Sequence, residues 1–356
     1  MRPDAFDYDL PAAAIAQVPA EPRDAARLLV SLDGTRAIAH RRVADLAELL
    51  GPGDLLVVND TRVLPARLRL RRATGGAVEV LLLEQDGTSD TWTALVRPGR
   101  RLPPGTQVEA PGLTVVIGDR IDGGRRRVEV KGSIEEHGVV PLPPYIHAPL
   151  ADPERYQTVY ARRPGSVAAP TAGLHLTPAL LDRCREAGAD VARVDLAVSL
   201  DTFKPIAVDD LDAHVMHTER YSVPRATMEA CAHARRVIAV GTTTVRALES
   251  AARGDPEGRT DLFIRQPFEF RVVDVLLTNF HFPRSTLLVL LDAFVGARWR
   301  DLYARALEDG YRFLSFGDAM LVGRRAAERI VGGRAAERIV GGRAAERIVG
   351  RRAAER

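Results

Sequence analysis

The residues best suited to proton chemistry are two histidines, each placed where an apolar segment runs out. His175 lies in Pro170-Thr-Ala-Gly-Leu-His-Leu-Thr-Pro178. Read as an extended strand, this segment puts Thr171, Gly173, His175 and Thr177 on one face, and Ala172, Leu174 and Leu176 on the other. Thr177 then suits an N-cap and Pro178 a first helical position, with Gly188 as the stop. His281 closes Val275-Leu-Leu-Thr-Asn-Phe-His281 beside Asn279, ahead of Pro283 and a helix that Ser285 caps and Thr286 begins. A lone imidazole is more often a hydrogen-bonded structural group, but two near one sheet edge can divide base and acid roles.

Two further apolar runs end in polar groups. Leu55-Leu-Val-Val-Asn-Asp-Thr-Arg62 reads as a buried strand delivering Asn59, Asp60, Thr61 and Arg62 into a site. Val237-Ile-Ala-Val-Gly-Thr-Thr-Thr-Val-Arg246 delivers Gly241, Thr242, Thr243 and Thr244 to a helix N-terminus. Hydroxyls and free N–H groups there suit a carboxylate or phosphate, although an ordinary Thr N-cap explains that stretch taken alone. Neither a Walker loop nor a Gly-x-Gly-x-x-Gly fingerprint is present. Apolar strands alternating with helices specify an α/β layer, in which ligands bind at the carboxyl ends of strands.

The elements that must position these groups fall into two kinds. From about Pro65 to Ile146 short alternating runs are separated by Gly and Pro turns, with no helical period until Ile134. This predicts a small all-β barrel or sandwich, residues 65–147, inserted into an α/β domain of residues 1–64 and 148–323. Thirteen basic residues fall between Arg62 and Lys131, among them Arg67, Arg97 and Arg126. They fit a phosphate-binding surface and a merely solvated sheet equally well.

Composition sets the outer bounds. The chain has 356 residues, 46% hydrophobic and 27% charged, which suits two globular domains. Residues 324–356 hold ten Arg and four Glu, so they carry +6 of charge and leave a slightly acidic body. Global charge therefore says nothing about nucleic acid. That tail repeats Arg-Ala-Ala-Glu-Arg-Ile-Val-Gly-Gly from Arg325, Arg334 and Arg343. Period nine turns successive copies to opposite sides of a helix, which predicts a disordered basic tail, with RNA tethering as the functional alternative. No secretory start or apolar run of about 20 residues occurs, and Cys184 and Cys231 fit buried thiols in a reducing cytosol. The expected location is cytoplasmic. His214-x-x-His217 with Glu219 has a spacing a metal could use but shows no further ligand, so no metal is expected.

Several blocks together resemble the S-adenosylmethionine:tRNA ribosyltransferase-isomerase family. They are Phe6-Asp-Tyr-Asp-Leu-Pro11, Ala20-Glu-Pro-Arg-Asp24, Asp54 to Arg62, Pro170 to His175, Gly241 to Arg246, Leu277 to His281 and Phe313-Leu-Ser-Phe-Gly-Asp-Ala-Met320. The resemblance runs in order from Phe6 to Val322. It implies an α/β domain carrying an inserted β-barrel, and a step of queuosine synthesis. In that step the ribosyl part of S-adenosylmethionine is transferred to 7-aminomethyl-7-deazaguanine at the wobble position of tRNA and isomerised. Epoxyqueuosine forms, and adenine and methionine leave.

That chemistry needs a base for a C5′ proton beside the sulfonium and an acid for the departing adenine. His175 and His281 are the leading candidates, with Asp60 and Asp318 as carboxylate alternatives. Thr242 to Thr244 are expected to hold the methionyl carboxylate or a phosphate, and Arg62, Arg67 and Arg97 to contact tRNA. Asn59, Thr61, Thr171, Gly173, Gly241, Arg246, Asn279, Ser285 and Thr286 complete the expected binding set. S-adenosylmethionine is a consumed substrate, no other cofactor is expected, and the chain is expected to be a monomer. A non-catalytic RNA-binding relative and an adenosylmethionine-dependent methyltransferase are the competing readings. Leu176, Asp201 and Gln266-Pro267 depart from the family pattern of Phe, Gly and Pro-Gly.

Overall fold

Strands that are apolar on both faces set the layout. In the computed structural model, which describes residues 1–32, 37–87, 89–99, 102–121, 124–199 and 205–324, the chain runs through β1 (Arg27–Ser31), β2 (Ala39–Arg42) and the short helix α1 (Leu46–Leu49) into β3 (Asp54–Asn59). Every residue of β3 is buried. Leu55 and Val57 join one hydrophobic core while Leu56 and Val58 join another, so the strand lies between two covered faces.

After β4 (Thr61–Val63) the chain leaves for the barrel. Strands β5 (Arg67–Arg71), β6 (Ala77–Gln85), β7 (Thr91–Arg97), β8 (Thr106–Ala110), β9 (Leu113–Arg120) and β10 (Arg125–Lys131) pair antiparallel in the order β5-β6-β7-β10-β9-β8. Pairing of Arg71 with Glu109 joins β8 back to β5 and closes the barrel. Val80, Leu82, Val115 and Val128 are among the inward residues that fill it. Arg126 is buried there as well, and its guanidinium donates to the carbonyls of Gly99, Leu102 and Gly118. It braces the barrel and does not belong to the basic surface expected on this domain. Helix α2 (Ile134–His137), capped by Ser133, and the two-residue β11 (Gly138–Val139) end this part.

The return path is β12 (Arg163–Ser166), α3 (Pro178–Glu186), β13 (Asp190–Leu196), β14 (Glu219–Ser222), α4 (Arg225–His233), β15 (Arg236–Val240) and α5 (Thr242–Ala251). It continues through β16 (Glu257–Thr260), β17 (Val275–Asn279), α6 (Thr286–Val295), α7 (Trp299–Glu308) and β18 (Ala319–Gly323). The large sheet has the order β16-β14-β13-β3-β15-β17-β18-β1-β2. Within it β13, β3, β15 and β17 are parallel, so their carboxyl ends share one edge. This is the α/β layer with an inserted barrel that the sequence pattern predicts, and an Arg259–Glu84 ion pair ties sheet to barrel.

One expected strand is absent. Thr171–His175 forms a 3-10 helix, and the N–H of Leu176 closes it on the Gly173 carbonyl. The cause is a close approach: a Cβ at Gly173 would lie 2.0 Å from the Tyr160 hydroxyl, so only glycine lets the chain wrap there. Arg23 donates to the Leu174 carbonyl at 3.1 Å and braces the turn from outside. The helix beyond it follows the sequence. Thr177 Oγ1 accepts from the Leu180 N–H at 3.1 Å, Pro178 is the first helical residue, and Gly188 follows with φ +89°.

The cysteines are buried and free, and burial pushes the Cys184 thiol up to about 11. Among the described residues no helix is long and apolar enough to cross a membrane. The repeat from Arg325 onward and Asp201 lie outside the described residues.

Candidate active site

The carboxyl edge of β15 and β17, beside β3, opens into a narrow cleft. Thr171, Gly241, Thr242, Thr243, Asn279, His281 and Ser285, all expected from the sequence, line it. Gly241 turns β15 into α5 with φ +88° and ψ 153°, a region that essentially only glycine occupies. Thr242 and Thr243 follow at the start of α5, where backbone N–H groups lack intrahelical partners. Ser285 caps α6 by accepting from the Leu288 N–H at 3.3 Å.

Asn279 organises the near wall. Its Oδ1 accepts from the Thr171 hydroxyl at 3.2 Å, and its Nδ2 donates to the Leu314 carbonyl at 3.1 Å. Leu314 holds φ +70°, unusual for a branched side chain, and its own N–H donates to the Phe280 carbonyl. Because Leu314 offers only a carbonyl, the amide orientation is fixed. The same Nδ2 lies 3.1 Å from His175 Nε2, which must therefore accept. His175 is neutral and carries its proton on Nδ1. Burial, then the charges of Arg312 and Arg23, lower its pKa to about 4.

His281 faces the cleft itself. Its Nε2 sits 3.1 Å from Thr278 Oγ1, and burial lowers its pKa to about 3. Two phenols grip its backbone: the N–H donates to the Tyr303 hydroxyl at 2.8 Å, and Tyr8 donates to its carbonyl at 2.5 Å. The imidazole is thus a neutral, fixed group in the wall.

Other expected residues stand behind the cleft or away from it. Asn59 is one contact back, 3.4 Å from Thr243 Oγ1, and Gly173 lies under Tyr160. Thr244 is buried and donates to the Val240 carbonyl at 2.6 Å. Arg246, one turn along α5, is turned inward to a buried ion pair with Glu219, which also answers the metal spacing around His214 with a committed carboxylate. Asp318 accepts the N–H groups of Arg27 and Arg312 at 2.9 and 2.8 Å. Asp60 is buried with Oδ1 unpartnered, and desolvation raises its pKa against the pull of Arg163 and Arg193. Thr61 donates its N–H to Asn59, and Thr286 does not line the cleft. Arg62 pairs with Glu154, Arg67 faces Glu79 on the barrel, and Arg97 is exposed at the end of β7.

The sequence reading missed Tyr145, Phe282 and Ser315, which also line the cleft. The rings of Tyr145 and Phe282 are within 13° of parallel with centroids 6.3 Å apart, and the Tyr145 and Ser315 hydroxyls meet at 2.7 Å. Among the described residues no Asp, Glu, Lys or Arg lines this cleft.

Fold and site define an α/β protein with a cleft at the carboxyl edge of a parallel sheet, beside an inserted barrel. The chain belongs to the queuosine biosynthesis protein family, whose model matches residues 3–322. It is 50% identical over 343 residues to the S-adenosylmethionine:tRNA ribosyltransferase-isomerase of Thermus thermophilus, covering 90% of this chain and 99% of that one. A protein of the same name from Moorella thermoacetica is 49% identical over 343 residues, covering 90% of this chain and 100% of the relative. The crystal structure of the Thermotoga maritima S-adenosylmethionine tRNA ribosyltransferase superposes with a TM-score of 0.52 at 38% identity, covering 89% of this chain and 99% of that one.

Proposed function

We propose that this protein transfers the ribosyl part of S-adenosylmethionine to 7-aminomethyl-7-deazaguanine at the wobble position of tRNA and isomerises it, giving epoxyqueuosine and releasing adenine and methionine. The observation that carries this reading is the family match over residues 3–322, a span that includes every residue of the cleft.

The cleft meets two demands of that reaction, a base and a polar wall for the methionyl end. A base must take a C5′ proton acidified by the neighbouring sulfonium, and His281 offers an unprotonated imidazole in the wall at neutral pH. His175 acts as a positioning residue in this account, since it stands behind the lining and its Nε2 accepts from Asn279. With no carboxylate in the lining, the sulfonium is attracted by the faces of Tyr145 and Phe282. Thr242, Thr243 and the free N–H groups of α5 receive the methionyl carboxylate.

Incubation with S-adenosylmethionine and precursor-containing tRNA tests the reading. Adenine and methionine are expected in equal amounts, with epoxyqueuosine in the digested tRNA. S-adenosylhomocysteine as the product would establish methyl transfer instead.

A further inference from the structure

A second groove adjoins the 3-10 turn that carries His175. One wall is a single face of α3, where Pro178, Leu181 and Arg185 fall at helical spacing. The other is formed by Tyr160, Arg162 and Arg193, and the groove is open to solvent. Tyr160 is 6% exposed, and its hydroxyl lies where a Cβ of Gly173 would be. That hydroxyl and Nη1 of Arg193 are buried donors with no acceptor. Oδ1 of Asp60 is equally buried and unpartnered, so these atoms form the floor of the groove, and its accessible charge is that of Arg162, Arg185 and the exposed part of Arg193.

The charges facing the groove favour an anion. Arg162 is exposed; its backbone N–H donates to the Asp60 carbonyl, and its charge acts on the Asp60 carboxylate. Arg185 pairs with Asp182, the one acid in the lining, at 2.6 Å. Asp60 lies beneath and attracts Arg193, but no hydrogen bond joins them. Three guanidinium groups against two carboxylates leave a positive balance, and the planar guanidinium fork matches phosphate geometry.

We propose that this groove binds a backbone phosphate of the RNA substrate, next to the nucleotide being modified in the cleft. The inference rests on the proposed tRNA reaction. The groove and the cleft share the Thr171–His175 turn: Thr171 and Ala172 line the cleft, while Gly173 abuts Tyr160 in the groove wall. A phosphate seated there holds the strand in register with the cleft and makes no contact with S-adenosylmethionine.

The test is binding of an anticodon stem-loop RNA to the full chain, by fluorescence anisotropy across a salt series. Arg162→Ala and Arg193→Gln should each weaken binding at low salt by about tenfold and flatten the slope of log K against log salt by about 0.7 to 0.9. Arg225→Ala, which removes an exposed arginine paired with Glu229 on α4, should change neither. The affinity for S-adenosylmethionine should stay at its wild-type value in all three. Wild-type RNA affinity and slope in both groove variants overturn the inference. Retained RNA binding with lost thermal stabilisation by inorganic phosphate overturns it in favour of a free phosphate. Failure of the wild-type protein to bind RNA sinks the functional reading instead, and is thereby distinguished.

Discussion

The side-chain amide of Asn279 donates to Nε2 of His175 at 3.1 Å, and the Leu314 carbonyl fixes which way that amide points. The imidazole can therefore accept only while it is unprotonated. Asn279→Asp removes both donated bonds and puts a carboxylate beside the ring. The pKa of His175 should rise from about 4, visible by NMR titration, and turnover should fall by ~10²-fold. An unchanged titration would show that the amide does not control the ring.

Two buried neutral histidines give a definite pH dependence. Their folded pKa values, about 4 for His175 and about 3 for His281, lie below the ordinary value of 6.5. Between those limits the unfolded chain binds more protons than the folded one, so stability rises with pH up to about 6.5 and is lost as pH falls toward 3. Each pKa unit corresponds to about 1.4 kcal/mol, so the pair should cost on the order of 8 kcal/mol at most across that window. Urea midpoints measured between pH 7 and 4 check it, and the loss should shrink in a His175→Gln, His281→Gln double variant.

Gly173 and Gly241 fail differently when replaced by alanine. At Gly173 the new methyl meets the Tyr160 hydroxyl and pushes the turn that carries Thr171, at an overpacking cost of about 1–3 kcal/mol. At Gly241 the nearest neighbour is 3.7 Å away, so space is available and the strain is in the backbone, also about 1–3 kcal/mol. Melting temperature should fall in both. A crystal structure of Gly173→Ala should show the 3-10 turn displaced with α5 unmoved, and Gly241→Ala the reverse.

Arg246 is predicted to matter for stability and not for substrate. Replacing it with Ala leaves the buried Glu219 without its counter-charge, held by the Ser199 N–H, which costs about 3–5 kcal/mol. Folded protein of this variant at low temperature should keep the wild-type KM for S-adenosylmethionine. A large KM rise in well-folded protein would place Arg246 on the substrate.

Much of this was legible in the sequence, for reasons specific to each element. Strands β3, β15 and β17 announce themselves because a run apolar at every position has only one place to go, the middle of a covered sheet. The groups at their ends, Asn59 and Asn279, and Gly241 just past β15, then follow from chain order. The Thr171–His175 turn did not follow, because what bends it is Tyr160, a contact that no local period records. Arg246 reads as part of the Thr242–Thr244 cluster in sequence, but the helix rotates it toward Glu219. Tyr8, Tyr145, Tyr303 and Ser315 reach His281 or the cleft from distant segments, and their types carry no spacing signal. The Ala20 to Asp24 block shows its use only in space, where Arg23 holds the Leu174 carbonyl and Asp24 accepts from Thr177.

The central claim concerns where the ribose of S-adenosylmethionine goes. Supplying ribose-labelled S-adenosylmethionine with precursor tRNA, and reading the mass of the digested nucleosides, follows that fate directly. The account predicts the whole label in the modified nucleoside, unlabelled adenine released, and both lost together in His281→Ala. Label that stays with the small molecules, or an unchanged yield from His281→Ala, would contradict it.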